Sequence, residues 1–294
     1  MKTKVFLLVS LFYLSISALN AQVSVNIVGG ESKVDKEIID KAFLECQYNY
    51  SFLSDISKPK DRTEDRMVLQ IGKNRSKYFS YTNLLIDSIM RSNISTEEKL
   101  LKVKKFKRTV TSTIYKNLKK NKVSFVDKIF MTDYKCTEDI PDFKWKVVDE
   151  YSKILGYECQ KATCKFRGRE YTAWFTKNLP INNGPWKFHG LPGLIMKVVD
   201  SENHFQFTIV GIRKLNNTPI SFPKRQYLNT SIKKFQKVKT KFNENPIAFI
   251  KGVVGSSVKI QVTNKDGSKL KKINGKNIDK VKFDNKNQYL EREL

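Results

Sequence analysis

The chain has 294 residues, with 55 Lys and Arg against 29 Asp and Glu, and a formal net charge of +26 at neutral pH. Apolar residues make up 40% and aromatic residues 12%. That excludes a disordered or low-complexity chain and leaves one large domain or two small ones. A positive excess of this size favours anionic partners.

Lys2 and Lys4 precede an apolar run from Val5 to Leu14, and Ser15 to Ala21 is small and polar. This is the pattern of a secretory signal peptide over residues 1–21. The cut falls after Ala21, with the rather large Leu19 three residues before it. The run is shorter than the roughly 20 apolar residues that a membrane span needs. Gln22 follows the cut, not Cys, so no lipoprotein anchor is expected. The expected mature chain is a single domain, 22–294, exported to the periplasm or cell surface, with no transmembrane segment. Its charge falls from +26 to +24 once Lys2 and Lys4 leave. Export turns that charge away from nucleic acid and toward acidic glycans, lipid phosphates and acidic proteins. A solvated lysine-rich surface accounts for the same charge without any partner.

From Ala42, alternation places Ala42, Leu44, Cys46, Tyr48, Tyr50 and Phe52 on one face of a β-strand. Ser57 to Arg66 reads as a loop, Met67–Ile71 and Tyr78–Tyr81 as short strands, and Leu84–Met90 as a helical turn. Ser95 and Glu98 form a capping-box pattern. Leu100, Val103, Phe106, Val110 and Ile114 then recur at helical spacing among lysines, which predicts an amphipathic helix over Ser95–Lys122. Its stripe packs on a core, or meets a membrane surface or acidic partner. Strands are expected at Val123–Val126, Lys128–Tyr134, Lys144–Glu150, Tyr157–Phe166, Arg169–Thr176, Leu194–Asp200 and His204–Arg213. A hairpin turning at Arg167-Gly168 would pair Phe166 with Arg169, Cys164 with Tyr171, Ala162 with Ala173 and Gln160 with Phe175. The strands Leu194–Asp200 and His204–Arg213 are apolar on both faces and should be central. After Leu215, Pro219, Pro223 and Pro246 break a Lys- and Asn-rich stretch. Residues 216–294 read as a basic C-terminal extension packed on the same domain, with a helix at Ile232–Phe242, a strand at Val258–Val262 and a turn at Asp266-Gly267. The fold expected is mainly antiparallel β with α, a curved sheet or half-barrel with at least one amphipathic helix.

Four cysteines, Cys46, Cys136, Cys159 and Cys164, permit two disulfides in an exported chain, with three connectivities open. Cys159 and Cys164 lie five apart and fall on opposite faces of a regular strand. A bond between them needs a bulge; otherwise each looks toward Cys46 or Cys136.

The most specific segment contains Tyr157-Glu158-Cys159-Gln160-Lys161-Ala162-Thr163, then Trp174, then Gly184-Pro185-Trp186-Lys187-Phe188-His189, and then Gly190-Leu191-Pro192-Gly193-Leu194-Ile195. It resembles the GLPGLI family of Bacteroidetes-type bacteria, named for that last hexapeptide. The resemblance covers roughly residues 145–200 closely and 42–81 more loosely. It implies an exported envelope protein, with outer-membrane receptor systems as a hint about partners, and it brings no catalytic residue or ligand. The hexapeptide has a physical reading of its own. Pro192 and Gly193 occupy the two central positions of a type II turn, with positive φ expected at Gly193. The loop 180–193 either presents Trp174, Trp186, Phe188 and His189 to a ligand or partner, or folds over and seals an open sheet edge. The shape expected is similar to exported half-barrels that carry lipids or lipoproteins, which speaks to fold and little to function.

Catalytic constellations are thin. The two histidines, His189 and His204, form no helical pair, and no nucleophile elbow or phosphate loop occurs. Cys159 or Cys164 with His189 would make a thiol nucleophile, against the competing fate of disulfide formation. The Cys and His spacing fits no compact zinc site, so neither metal nor cofactor is expected. The sequence therefore predicts a non-catalytic binding or accessory protein for a lipid-like or peptide ligand, or an outer-membrane partner. The alternatives are a Cys/His enzyme and a structural protein that binds anionic envelope surface.

Overall fold

The computed structural model describes residues 35–254, apart from 54 and 107–108, and the backbone of short strands on either side. In chain order the elements are β1 (Val9–Ser15), β2 (Ala21–Val28), β3 (Lys36–Leu53), β4 (Arg62–Gly72), β5 (Arg75–Ser80), α1 (Tyr81–Arg91), α2 (Thr96–Val103), β6 (Thr113–Asn117), β7 (Lys122–Ile129), β8 (Thr132–Asp139) and β9 (Lys146–Ile154). They continue with β10 (Tyr157–Phe166), β11 (Arg169–Thr176), β12 (Leu194–Asp200), β13 (Phe205–Pro223), β14 (Tyr227–Asn229), α3 (Ile232–Glu244), α4 (Pro246–Val254), β15 (Thr263–Asn264), β16 (Lys272–Ile273) and β17 (Lys276–Asn277).

The chain forms two compact units: residues 1–35, 223–225 and 234–285 in one, and 36–222, 226–233 and 286–294 in the other. In the smaller unit, β1 and β2 pair antiparallel, β15 adds to β2, and β16 pairs with β17. Strand β1 lies inside the segment read as an export signal, so its pairing with β2 exists only while that segment is attached. Phe242 of α3 meets Phe249 of α4 edge to face, with ring centres 5.3 Å apart. The strand expected at Val258–Val262 and the turn at Asp266-Gly267 lie outside the described residues.

The larger unit is one open twelve-stranded sheet in the order β14-β8-β7-β6-β5-β4-β3-β13-β12-β11-β10-β9, whose two end strands do not pair with each other. Successive hairpins pair antiparallel, and β14 lies parallel to β8. Alternation is the cause of the long first strand: Ala42, Leu44, Cys46, Tyr48 and Tyr50 are buried along β3. The β10–β11 hairpin has the expected register, from Gln160 opposite Phe175 to Phe166 opposite Arg169. Arg167 and Gly168 both take positive φ, +44° and +73°, which matches the turn twist that two-residue hairpins need. Strands β12 and β13 lie inside the sheet and not at its ends, but only β12 is buried along most of both faces. Strand β13 buries alternate residues, Phe205, Phe207 and Ile209, and is largely exposed or half-buried beyond them.

Several expectations are corrected. The helix from Ser95 stops at Val103. Ser95 Oγ accepts from Glu98 N–H at 3.1 Å, as the capping pattern requires, but Val110 and Ile114 leave the helix. Asp65 accepts from the Val110 amide and the Thr109 hydroxyl, and Asn83 donates to the Val110 carbonyl. With these side chains holding the backbone, the run Thr109 to Ile114, β-branched except at Ser112, leads into strand β6 at Thr113. The single strand expected at Lys128–Tyr134 is broken by a turn at Phe130, φ +54°, between β7 and β8. Pro219 does not end β13, which runs on to Pro223. No helix among the described residues is long and apolar enough to cross a membrane.

Candidate functional site

One row of register partners crosses five neighbouring strands: Ile71 in β4, Ser76 in β5, Lys116 in β6, Val123 in β7 and Glu138 in β8. Two of these are charged, and both reach the loop that joins β11 to β12. Lys116 is 1% exposed. Its ammonium donates to the Gly184 carbonyl at 2.8 Å and to the Phe188 carbonyl at 3.0 Å. Burial lowers its pKa from 10.5 to about 7. Glu138 accepts from Lys187 with one oxygen and from Arg167, at 2.9 Å, with the other. Burial pushes the Glu138 carboxyl upward, but the Lys187 and Arg167 charges outweigh it, and the net shift is downward.

The loop itself is built from short backbone contacts. Leu194 donates to the Leu179 carbonyl at 2.9 Å, and Ile195 donates to the Asn183 carbonyl at 3.0 Å. The Ile195 carbonyl accepts from the Tyr48 hydroxyl at 2.7 Å, and the His189 carbonyl accepts from the Trp145 indole at 2.7 Å. Phe188 is fully buried and is ringed by Phe143, Tyr171 and Trp186, each with its ring centre 5.1 Å away, and by Phe207 at 5.9 Å. The segment is thus tied to the sheet at both its charged and its aromatic residues.

This geometry places each sequence-selected residue. Trp186 and Phe188 are together in the core, Trp186 being 8% exposed, so neither offers an open surface. His189 is half-buried beside Phe143, and its pKa is lowered from 6.5 to about 4 by burial first and by the Lys116 charge second. Trp174 is half-buried on the face of β11 opposite Ala173 and Phe175. Tyr157, Cys159, Lys161 and Ala162 lie on β10. Gly184 and Pro185 are buried in the loop, where a β-carbon on Gly184 would come within 2.8 Å of Ile195 Cβ.

In the hexapeptide, Leu191, Leu194 and Ile195 are core residues and Pro192 is exposed. The expected type II turn is not what forms: positive φ belongs to Gly190, at +95°, and not to Gly193. Gly193 is required for closeness instead, since a β-carbon there would stand 2.0 Å from the Thr176 carbonyl oxygen. An open depression of about 370 Å³ lies on the hexapeptide, lined by Pro180, Asn182, Gly190, Leu191, Pro192 and Gly193.

The expected disulfides are also corrected. Cys46, Cys136, Cys159 and Cys164 are all buried free thiols. Cys46 and Cys136 lie in one cross-strand row but on strands five places apart, about 24 Å along the sheet at ~4.8 Å per strand. A disulfide needs α-carbons within about 7 Å. The β9–β10 register shifts between Gln160 and Lys161, and Cys159 joins the same core as Ala162 and Cys164, yet five residues of strand still separate the two thiols. Burial pushes Cys46, Cys136 and Cys164 up to about 12 and Cys159 to about 11.

A cluster of Asp200, Glu202 and His204 brings carboxylate and imidazole atoms within 4.8 Å of one another. The Arg169 guanidinium already sits among them, 2.9 Å from Asp200 and 3.4 Å from Glu202, so the protein supplies its own cation there. Sequence reasoning missed Lys116, Glu138 and Trp145. Lys116 lies in a lysine-rich stretch, and nothing in the pattern separates it from its solvated neighbours.

A family model described as "Protein of unknown function (Porph_ging)" matches residues 166–197. The match runs from the β10–β11 turn through the loop and into β12, and so contains Arg167, Lys187 and the hexapeptide. No curated protein matches the sequence. Solved structures of PNGF-II in two space groups are similar to this chain at 17% identity and a TM-score of 0.47. The similarity covers 66% of this chain and 32% of those structures' own length.

Proposed function

We propose that this chain is an exported envelope protein of the GLPGLI type that acts by binding, as an accessory to a protein partner, and not by catalysis. The observation that carries the reading is that the loop 179–193 occupies its own sheet: Phe188 is fully buried and Lys116 closes on the carbonyls either side of the Pro185–Lys187 turn. In this reading the sheet is a half-barrel whose hollow is filled by protein, which favours a partner on the outer surface over a lipid carried inside. The reach of Glu138, second from one end of the strand order, to Arg167 at the β10–β11 turn near the other end supports that curvature. The non-catalytic reading draws support from the thiols. A nucleophilic cysteine needs a lowered pKa and access, and all four here are buried and raised.

The test is native mass spectrometry of the protein purified from its own host. A chain beginning at Gln22, without a stoichiometric small molecule, is the expected result. A lipid co-purifying one to one overturns the accessory reading in favour of a carrier, and a mass that includes Met1 overturns export.

A further inference from the structure

The interface between sheet and loop holds more polar atoms than its side chains satisfy. Ser76 and Asn183 are each 1% exposed and Tyr78 is 3% exposed. Ser76 Oγ, Tyr78 Oη and Asn183 Nδ2 are buried without a hydrogen-bond partner. Ser76 and Asn183 belong to the surroundings of Lys116. Ser76 is the direct cross-strand partner of Lys116. Tyr78 is set apart from them, its ring centre standing 6.5 Å from that of Tyr48. Asn183 immediately precedes Gly184, whose carbonyl accepts from Lys116 Nζ. Lys116 in its charged form has three N–H groups, and two of them are used on Gly184 and Phe188.

The large majority of buried side-chain polar atoms in folded proteins find a partner, from protein or ordered water. Where side chains do not meet, an ordered internal water bonded to two to four polar groups takes that place. The unmatched set suits water better than an apolar guest. Asn183 Nδ2 and Lys116 Nζ offer donors, while the Ser76 hydroxyl both donates and accepts. We propose that this interface is an internal water site, formed by Lys116, Ser76 and Asn183. The bound water completes the attachment of the loop to strands β5 and β6. A bare anion would match the donors as well, and the test separates the two.

The experiment is a crystal structure of the full chain at a resolution that shows ordered solvent, with a second crystal soaked in bromide. The expected result is solvent density within about 3.2 Å of Lys116 Nζ and of Ser76 Oγ or Asn183 Nδ2, with no anomalous bromide peak there. A bromide peak overturns the proposal, and so do direct protein bonds to Ser76 and Asn183 with no density between. In solution, magnetisation transfer from a long-lived water to the Asn183 side-chain amide is expected in the wild-type protein, and its absence overturns the proposal. Ser76→Val, which fills the site with methyl groups, should abolish that transfer while the remaining spectrum stays dispersed. Its persistence in a folded Ser76→Val protein counts against this placement.

Discussion

Gly190 and Gly193 stand three residues apart in one hexapeptide and are needed for different reasons. Gly190 is at φ +95° with nothing crowding it, Trp145 being 3.5 Å from the position of an added β-carbon. Gly193 has ordinary φ and no room at all, with the Thr176 carbonyl 2.0 Å from that position. Gly190→Ala should cost about 1–2 kcal/mol, the penalty of a left-handed residue with a β-carbon. Gly193→Ala should cost ~3 kcal/mol or more, because the obstacle is backbone that cannot rotate aside. Urea unfolding midpoints of the two variants check the order, and equal losses would contradict it. Phe188→Ala removes the centre of the aromatic cluster, and a loss of about 3–5 kcal/mol is expected, read in the same titration. A loss under 1 kcal/mol would mean that the ring is not packed as described.

Lys116 gives the fold a pH dependence with a definite sign. Its folded pKa is about 7 against an ordinary 10.5. Between those values the unfolded chain binds the proton and the folded chain does not, so stability rises with pH through this interval. Lys77, lowered to about 8, acts in the same direction. The raised thiols act oppositely above their ordinary value of 9.0, which leaves pH 7–9 as the clean window. His189, lowered to about 4, adds a rise between pH 4 and 6.5 by the same logic. Denaturant midpoints measured across pH 7–9 should climb in the wild-type protein and climb less in Lys116→Met. An unchanged slope in the variant would refute the assignment.

Among the elements, the sheet decides the fate of the cysteines. An even number and an expected export signal made disulfides a sound expectation, but strand order sets Cys46 and Cys136 too far apart. A thiol reagent should find almost no reactive group in the native protein and four per chain in denaturant. A denatured chain that still shows none would carry disulfides. Strand β9 shows how the sheet manages an open end. It is an edge strand with exposed Val147 and Tyr151, and it is interrupted where its register with β10 shifts between Gln160 and Lys161. Such an irregularity, with Lys146 and Lys153 in the same strand, discourages another chain from adding there. The helix predicted over Ser95–Lys122 failed for a related reason. Its first eight residues follow local capping and charge, with Lys102 bonded to Glu98 at 2.8 Å. The rest follows Asp65, which comes from a strand some forty-five residues away.

For the whole molecule, a charge of +26 is distributed over a chain whose pivotal charged groups are few and buried. Lys116, Lys187 and Arg169 are each less than 5% exposed, and they hold carbonyls and carboxylates inside the protein. The net charge therefore describes the solvated lysines and says nothing about these three. Much of the sheet was legible in the sequence. Strands β10, β11 and β12 have the predicted limits, and the β10–β11 register follows from two residues, Arg167 and Gly168. The aromatic loop was legible as a feature, through Gly184-Pro185 and the hexapeptide, while its inward direction was not. Alternation, turn chemistry and capping act between near neighbours, and the sequence by itself determined what they control: strand limits, the hairpin and the start of α2. The tertiary structure alone decided that Phe188 faces inward, that Gly193 is held by closeness and not by φ, that the thiols stay apart, and that Lys116 holds the loop. Each of these depends on which distant strand lies opposite, and that is fixed by the packing of the complete sheet and not by any local pattern.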